Sequence, residues 1–198
     1  MQREDWDQRY GASELVWPED PNVFLVAEAA DLAPGRALDV ACGEGRNAIW
    51  LARRGWEVVG ADYSPAALRK AEAVSASAGA PVTYVEADAT LRSPEGPFDL
   101  VVFCYLQLPG DLMARALDLA VAQLAEGGTL VVIGHDRRNL AEGVGGPKRP
   151  EVLLDPEAVA GMVPTLDVEV ATTVERHVEG EERPALDTLV RACRPGLN

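Results

Sequence analysis

The chain of 198 residues carries 32 Asp and Glu against 18 Lys and Arg, a formal net charge of −14. This balance argues against a nucleic-acid substrate and against anionic membranes, because both bind through a basic surface. The apolar content of 47% and the charged content of 25% are typical of a soluble globular protein, and the length indicates a single domain. The three cysteines show no metal-binding or C-x-x-C spacing. The segment MQREDWDQRY lacks the apolar stretch of a signal peptide, so we expect a cytoplasmic location.

Apolar runs in the first two thirds of the chain predict five strands, at residues 37–41, 57–61, 81–86, 98–104 and 129–133. Helical patterns follow the first, second and fourth strands, at residues 45–54, 64–78 and 112–124. Ser64 and Pro65 are a favoured start signal for the second of these helices, and Gly127-Gly128 is expected to end the third. Strands that alternate with helices favour a parallel sheet covered on both faces.

The last third of the chain predicts a loop, a helix and a hairpin. Residues 134–151 are rich in glycine and are predicted to form a long loop, and a helix begins at 155–157. Apolar alternation at 166–174 and 185–191 predicts two strands that are antiparallel to each other. We therefore predict a doubly wound α/β fold with a seven-stranded, mostly parallel sheet and one antiparallel strand in its edge region. The single domain, 1–198, divides into an N-terminal helical flap (1–32), a cofactor-binding core (36–134), a substrate loop (135–151) and a helix with closing hairpin (152–198).

The carboxyl ends of the strands are where ligands bind in doubly wound sheets. The first strand carries Asp39 at its end and leads into a turn with Gly43 and Gly45, after which a helix opens at Arg46. Glycine lets the backbone approach a ligand where a Cβ would clash, and a helix N-terminus suits a carboxylate or phosphate. Asp62 follows Gly43 by 19 positions, the separation that places a carboxylate at ribose hydroxyls. These features predict an adenosine-bearing cofactor.

Two classes of cofactor fit this turn. Residues 43–48 match the G-x-G-x-x-A pattern of dinucleotide-binding proteins, so an NAD-dependent oxidoreductase is one interpretation. Asp39 argues against it, because a carboxylate there repels a diphosphate but suits the ammonium of an amino acid. With Asp88 as a further acid, the strand ends offer partners for an amine, for ribose hydroxyls and for an adenine amino group. S-adenosylmethionine (SAM) carries all three. A non-catalytic sensor of SAM or S-adenosylhomocysteine (SAH) is a third interpretation.

Five segments carry a family resemblance: DVACGEGRN (39–47), GADYSP (60–65), EAD (86–88), FDLVVF (98–103) and LAEGG (124–128). In this order they resemble the successive motifs of class I SAM-dependent methyltransferases. The segments WDQRY (6–10) and PNVFL (21–25) resemble the small-molecule branch that includes tellurite-resistance and thiopurine-type enzymes. The resemblance implies a Rossmann-like methyltransferase fold. It also implies transfer of a methyl group from SAM to a small-molecule acceptor, with SAH as the by-product.

The resemblance also implies which residues bind SAM. They lie in or beside these motifs: Asp39, Ala41, Cys42, Gly43, Gly45, Asn47, Asp62, Tyr63, Ser64, Asp88, Ala89 and Cys104. The turn after the first strand would hold the methionine end, Asp62 the ribose hydroxyls, and Tyr63 would pack near the adenine. Asp88 would accept from the adenine amino group, Ala89 would donate to a ring nitrogen, and the Cys104 backbone would line the reaction centre. For Asp39 and Asp88 the alternative role is capping of neighbouring backbone N–H groups.

The side chains that would act on the substrate are less well defined. Methyl transfer from a sulfonium needs a general base only if the nucleophile arrives protonated. His135 follows the fifth strand and is the candidate base or substrate contact, with a loop histidine bonded to the backbone as the alternative. Arg176 and His177 end the sixth strand, where they would hold an anionic substrate or lie exposed.

Two further groups allow a functional and a plain structural interpretation. The cations of the long loop would recruit an anion or form a solvated face: Arg137, Arg138, Lys148 and Arg149. The N-terminal group would cover the cofactor or fasten the first helix to the core: Trp6, Arg9, Tyr10 and Trp17. No metal site is predicted. The identity of the methyl acceptor, the use of a base and the oligomeric state are left open.

Overall fold

The computed structural model describes residues 3–11, 15–16 and 19–196. Within them, strands and helices alternate along the chain. The strands are β1 (Arg36–Val40), β2 (Glu57–Asp62), β3 (Val82–Glu86), β4 (Phe98–Cys104), β5 (Leu124–His135), β6 (Asp167–Arg176) and β7 (Ala185–Cys193). The α-helices are α1 (Arg3–Gly11), α2 (Val23–Glu28), α3 (Arg46–Arg53), α4 (Pro65–Ser77), α5 (Gly110–Val121) and α6 (Pro156–Gly161).

The seven strands form one sheet in the order β3-β2-β1-β4-β5-β7-β6. All neighbouring pairs from β3 to β5 are parallel, and β7 is antiparallel to both β5 and β6. The strand order reverses between β1 and β4, and a ligand crevice is expected at such a switch point. The predicted doubly wound α/β fold is confirmed. The reversed strand is the penultimate one, so the edge strand β6 runs parallel to the central strands and its carboxyl end lies on the same rim.

The local start signals of the helices act as the sequence predicts. Ser64 caps α4 by accepting a hydrogen bond from the Ala67 N–H across 3.2 Å, with Pro65 at the first helical position. Gly45 precedes α3 with a left-handed φ of 83°, a conformation that glycine adopts without a steric penalty. Both helices therefore begin beside the carboxyl ends of β1 and β2, with their N-termini facing the crevice.

The junction between α5 and β5 differs from the prediction. The helix ends at Val121, and β5 begins at Leu124 instead of residue 129. The expectation that Gly127-Gly128 end the helix is therefore wrong, because both glycines lie inside the strand. Gly127 donates to the carbonyl of Arg194, and Arg194 donates to that of Gly128, at 3.0 and 2.9 Å. This pairing with the chain beyond β7 extends the strand, and local propensity does not reveal it.

The predicted loop 134–151 contains more regular structure than expected. Strand β5 continues to His135, and two short 3-10 helices follow at Arg137–Leu140 and Pro150–Val152. The buried Asn139 side chain accepts from Leu186 N–H across 2.7 Å and donates to two carbonyls of the same loop, at 3.2 and 3.1 Å. These bonds tie the loop to the start of β7.

The two faces of the sheet bury separate apolar clusters. One face packs against α5 and α6 and includes Phe103, Met113 and Leu117. The other packs against α2 and α3 and includes Leu25 and Leu51. Truncation of fully buried side chains of this size to alanine costs about 2–5 kcal/mol, so both layers hold the rim in place. In the parts of the chain that the structure describes, no helix has the length and apolar character needed to cross a bilayer.

Candidate active site

The turn between β1 and α3 contains three residues with a left-handed backbone, a conformation that favours glycine. Ala41, Gly43 and Gly45 have φ values of 57°, 56° and 83°. A Cβ on Gly45 would lie 2.4 Å from the Tyr84 hydroxyl oxygen, well inside contact distance. The turn therefore brings bare backbone to the switch point, as a closely held ligand requires.

Asp39 is the most unusual carboxylate on this rim. It is 1% exposed, and neither of its oxygens has a hydrogen-bond partner of good geometry in the described chain. Burial raises its pKa to about 7, although the nearby Ala48 N–H and the Arg46 guanidinium lower it in part. A buried carboxylate without a partner is costly. The arrangement fits a cationic ligand group, such as the ammonium of an amino acid.

Asp62, at the end of β2, connects the two glycine-containing segments of the rim. Its Oδ2 accepts from Gly43 N–H and its Oδ1 accepts from Ser64 N–H, both at 2.9 Å. Burial raises the pKa of this carboxyl, and the backbone hydrogen bonds partly oppose that rise. Each carboxylate oxygen can accept more than one hydrogen bond, so Asp62 retains the capacity to receive two ribose hydroxyls.

The predicted adenine side is rich in acids. Asp88 accepts from the Thr90 N–H and hydroxyl through Oδ1, at 2.8 and 2.7 Å, so this oxygen caps its own loop as the alternative interpretation proposes. Burial raises the pKa of Tyr63 to about 12, with further contributions from Asp62, Asp88, Asp5 and Asp7. Tyr63 therefore lies among carboxylates and stays protonated. Ala89 is half-buried beside Asp88.

Some predicted cofactor residues have partners within the protein. The Asn47 amide oxygen accepts from Asn22 N–H across 2.9 Å, which holds the chain before α2 against the turn. Ser64 donates to Asp7 in addition to capping α4. Cys42 is buried, and burial raises the pKa of its thiol well above the ordinary value. Cys42 therefore packs as a small neutral side chain.

Glu44, inside the glycine turn, was not predicted as a site residue. It is 5% exposed and accepts from Val16 N–H through both oxygens, at 3.1 and 2.9 Å. The Lys70 ammonium lies 3.1 Å from the same carboxylate. Arg46 was also not assigned, although its charge acts on Asp39. Both residues stand within the GEGR segment, but their roles depend on contacts that the motif spacing does not encode.

A second group of side chains lies on the rim beyond β4. The carboxylate of Asp187, at the start of β7, is 3.2 Å from His135 Nδ1 and 2.7 Å from Arg176 Nε. Tyr105, directly after β4, donates its hydroxyl to the same carboxylate across 2.7 Å. The predicted residues His135 and Arg176 are thus brought together, and the residue that joins them, Asp187, was missed. His177 is exposed and does not share this group.

The side chains next to this group have structural partners. Asp136 is 1% exposed and accepts from the Thr173 and Thr188 hydroxyls and from Arg138 N–H, at 2.8, 2.9 and 2.8 Å. Two of the four loop cations form ion pairs inside the loop, Arg138 with Glu142 at 2.7 Å and Arg149 with Glu151 at 2.8 Å.

The N-terminal helix α1 lies against the start of α4. Arg3 pairs with Glu86 at 2.6 Å, and Asp7 accepts from the Ser64 hydroxyl. Trp6 stacks on Tyr10 with ring centroids 5.6 Å apart, and the Arg9 guanidinium lies 5.3 Å from the Trp6 ring. Trp17, the fourth residue of the predicted N-terminal group, lies outside the described residues. Helix α1 therefore borders Asp62 and Ser64 from the side of the predicted adenine site.

The cysteine at the end of β4 lies between the two halves of the rim. Burial raises the pKa of the Cys104 thiol well above its ordinary value, and the carboxylates of Asp39 and Asp187 both add to the rise. The thiol is therefore neutral and does not act as a nucleophile at ordinary pH. Among the described residues, no group of three or more His, Cys, Asp or Glu side chains is arranged to hold a metal ion.

Comparisons with known proteins agree with this geometry. Residues 37–128 match a family described as a methyltransferase domain. The chain is 40% identical over 108 residues to demethylmenaquinone methyltransferase of Thermus thermophilus, covering 53% of this chain and 49% of that protein. It is 30% identical over 117 residues to 2-heptyl-1-hydroxyquinolin-4(1H)-one methyltransferase of Mycobacteroides abscessus, covering 57% of this chain and 52% of that protein. The chain thus spans about half the length of these curated relatives.

Solved structures show the same fold over nearly the whole chain. The structure reported for conversion of a disulfide bond into a thioacetal group during echinomycin biosynthesis aligns with a TM-score of 0.81 at 24% identity, covering 100% of this chain and 93% of that one. The N-methyltransferase NodS of Bradyrhizobium japonicum, in complex with SAH, aligns with a TM-score of 0.72 at 19% identity, covering 98% and 100%. Together the matches favour the methyltransferase interpretation over the NAD-dependent oxidoreductase. Residues 37–128 are thus similar to methyltransferase domains, and the fold of the chain is similar to that of a methyltransferase solved with SAH.

Proposed function

We propose that this protein transfers a methyl group from SAM to a small-molecule acceptor and releases SAH. The observation that carries the proposal is the buried carboxylate of Asp39, which has no hydrogen-bond partner of good geometry for either oxygen among the described residues and stands beside the glycine turn. Such a group needs a cation to offset the cost of its burial. The ammonium of the methionine part of SAM supplies that cation.

The remaining residues of the rim suit the other parts of the same molecule. Gly43 and Gly45 let the backbone approach the ligand, and the N-terminus of α3 with Arg46 offers positive charge for a carboxylate. Asp62 would accept the ribose hydroxyls. Tyr63, Asp88 and Ala89 would border the adenine, and Cys104 would line the reaction centre through its backbone. Ala41, Cys42, Asn47 and Ser64 would shape the turn and the α4 cap around them.

When bound, SAM supplies a methyl group that is already activated by a positively charged sulfur. The protein's own contribution is then to align the acceptor and to exclude water, effects that reach about 7–11 kcal/mol in favourable cases. Helix α1 of the predicted flap contacts Ser64, and Gly146 of the loop lies beside His135. We assign the flap to covering the cofactor and the loop to binding the acceptor.

A small molecule is the acceptor class that the molecule's charge favours. Two relatives are named for small-molecule acceptors, whereas one is named ribosomal RNA small subunit methyltransferase C. A net charge of −14 opposes RNA binding, because affinity for phosphate backbones depends on basic side chains. All three cysteines are free, which fits the reducing cytoplasm, and we propose that location for the protein.

Isothermal titration calorimetry tests the cofactor assignment. SAM and SAH are expected to bind the wild-type protein, and NAD is not. Asp39→Asn removes the negative charge with little change in shape, and we expect at least tenfold weaker binding of SAM, because a charged hydrogen bond contributes about 1.5–3 kcal/mol. Stabilisation by NAD without a response to SAM would favour the oxidoreductase. Binding of SAM without turnover of any acceptor would indicate a sensor.

A further inference from the structure

We propose that His135 is the general base of this methyltransferase, that Asp187 is its positioning residue, and that the acceptor is a hydroxyl or thiol that arrives protonated. The inference rests on the proposed function, since it concerns the acceptor side of the same site. It goes further in that it names the chemistry of the acceptor and a residue that the sequence motifs do not mark.

The imidazole of His135 lies against the carboxylate of Asp187. Nδ1 of His135 lies 3.2 Å from Oδ1 of Asp187, within ion-pair distance, and both atoms are buried without a hydrogen-bond partner of good geometry in the described chain. A carboxylate at this position favours the tautomer with hydrogen on Nδ1. The side chain of His135 is 14% exposed. Because Nδ1 is buried, that exposed part belongs to the remainder of the side chain, which includes the acceptor nitrogen Nε2.

Asp187 is held in its ionised form although it is fully buried. Burial opposes its ionisation, but the contact with His135 and the hydrogen bonds from Arg176 and Tyr105 lower its pKa below the ordinary value. Oδ2 accepts from Arg176 Nε and from the Tyr105 hydroxyl, both at 2.7 Å, and Arg176 Nε is also 3.0 Å from that hydroxyl. Arg176 therefore balances the charge of Asp187 within this group.

Neighbouring groups restrict rotation of the imidazole. The Tyr105 ring lies against it with a centroid distance of 4.8 Å. From the loop, Gly146 approaches so closely that a Cβ there would lie 3.1 Å from both Cγ and Nδ1 of His135. Gly146 has a φ of 68°, which also favours glycine. A histidine fixed by three neighbours in this way suits a directional proton transfer more than a solvated surface role.

The site assigned to the cofactor is adjacent to the group formed by His135, Asp187, Arg176 and Tyr105. In the sheet, Cys104 pairs with Ile133, two residues before His135, and His135 pairs with Asp187. Strand β4, which ends at Cys104, lies between β1 with Asp39 and β5 with His135, so Cys104 lies between the cofactor side and the proposed base. An acceptor bound over Cys104 would thus have the methyl donor on one side and the imidazole on the other.

The proposed step balances as a single displacement. The acceptor X–H, where X is oxygen or sulfur, gives its proton to Nε2 of His135. Its lone pair forms the new bond to the methyl carbon, and the electrons of the methyl–sulfur bond stay on sulfur. The products are X–CH₃, SAH and the protonated imidazole, which then loses its proton to solvent. General-base catalysis of this kind contributes typically about 10²–10⁴-fold.

The test uses acceptors of graded acidity with the full-length protein and SAM. Phenol and 4-nitrophenol form the hydroxyl pair, 2-mercaptoethanol and thiophenol form the thiol pair, and release of SAH is measured in mildly alkaline buffer. The variants are His135→Gln and Asp187→Asn, with His177→Gln as the matched control because that histidine is exposed near the same rim. SAH binding by calorimetry accompanies every variant to report on folding and on the cofactor site.

A base predicts losses that depend on the acceptor. His135→Gln should lower kcat about 10²–10⁴-fold for the weakly acidic member of a pair, and much less for its acidic partner, which is already ionised. Asp187→Asn should show the same ordering with a smaller loss, and His177→Gln should match the wild type. SAH affinity should be unchanged throughout. Equal losses for both members of a pair would contradict the role of a base.

Two further outcomes separate this inference from the proposed function. If SAH binds but no hydroxyl or thiol of the panel is methylated, the acceptor class is wrong while the cofactor assignment stands. If neither SAM nor SAH binds, the proposed function itself fails. Asp187→Asn removes the charge partner of the half-buried Arg176, so its folding must be checked separately. If this variant does not fold, nitrogen-15 NMR spectra of the wild-type protein report the tautomers of its two histidines instead. Hydrogen on Nε2 of His135 would overturn the proposal.

Discussion

The backbone N–H of Gly43 donates to Oδ2 of Asp62 across 2.9 Å. The turn after β1 is thereby joined to the end of β2, and the two segments that would surround the cofactor behave as one unit. The second oxygen of Asp62 takes the Ser64 N–H, which extends the unit to the cap of α4. A side chain assigned to ligand binding thus also holds the shape of the site before any ligand arrives.

Replacement of Asp62 by asparagine is therefore expected to act on both binding and stability. One oxygen acceptor and the negative charge are lost, so SAH affinity should fall at least tenfold, and the free energy of unfolding should fall by about 1–3 kcal/mol. Calorimetry with SAH and urea unfolding measure the two effects. Asp167→Asn, at the opposite end of the sheet in β6, is the control. Wild-type affinity in a folded Asp62→Asn protein would contradict the assignment.

Asp39 should make stability depend on pH near neutrality. Burial raises its pKa from 3.8 to about 7, so the folded state binds this proton more tightly than the unfolded chain. The resulting stabilisation is fully present below about pH 3.8 and is lost as pH rises through about 7. Asp39→Asn should therefore make the ligand-free protein more stable above pH 7, by up to about 4 kcal/mol.

Urea unfolding of the wild type and of Asp39→Asn on both sides of pH 7 measures this contribution. Asp118→Asn, on the exposed surface of α5, is the control and should follow the wild type. The pH dependence of SAM binding has the opposite sign to that of the unfolding free energy, because the ammonium of SAM pairs with the ionised carboxylate. SAM affinity of the wild type should rise as pH increases through about 7, and this rise should be absent in Asp39→Asn. Parallel pH profiles of the two proteins would refute the role of Asp39.

The two halves of the site differ in how far the sequence predicts them. Asp39 and Asp62 stand at the ends of apolar runs and beside glycine turns, and these local signals suffice to place them on one rim. Asp187 could not be found this way, because its position depends on the antiparallel pairing of β5 with β7, which sets His135 opposite Asp187. Nothing in the neighbouring residues encodes that register.

The same limit explains the error at Gly127-Gly128. The pair is a good local signal for the end of a helix, but hydrogen bonds with Arg194, 66 or more positions later in the chain, place it in β5. Long-range pairing thus decided both the strand boundary and the residue that contacts His135. Local patterns predict the types of the elements and the acids at the ends of the parallel strands. The residues proposed to contact the acceptor depend on the register between β5 and β7, which local patterns do not encode.

Asp136 is expected to be structural although it follows His135 directly. Its carboxylate accepts three hydrogen bonds, from Thr173, Thr188 and the Arg138 N–H, and it is 1% exposed. Asp136→Ala would leave these donors unsatisfied and should lower the free energy of unfolding by about 2–4 kcal/mol. Thermal and urea unfolding give the value, and SAH affinity of the folded fraction should stay near wild type. A fully stable variant would show that water replaces the carboxylate.

Gly45→Ala should separate steric contact from backbone strain in the glycine turn. The new Cβ would lie 2.4 Å from the Tyr84 hydroxyl at a φ of 83°, so we expect a loss of about 2–4 kcal/mol in unfolding free energy and weaker SAH binding. Gly79→Ala is the matched control, because Gly79 has a φ of 62° with no atom within 4 Å of its Cβ position. It should lose only about 1 kcal/mol.

Adding Tyr84→Phe to Gly45→Ala removes the clashing oxygen and should restore part of the stability. Equal losses for Gly45→Ala and Gly79→Ala would show that φ alone, and not contact with Tyr84, requires glycine at the turn.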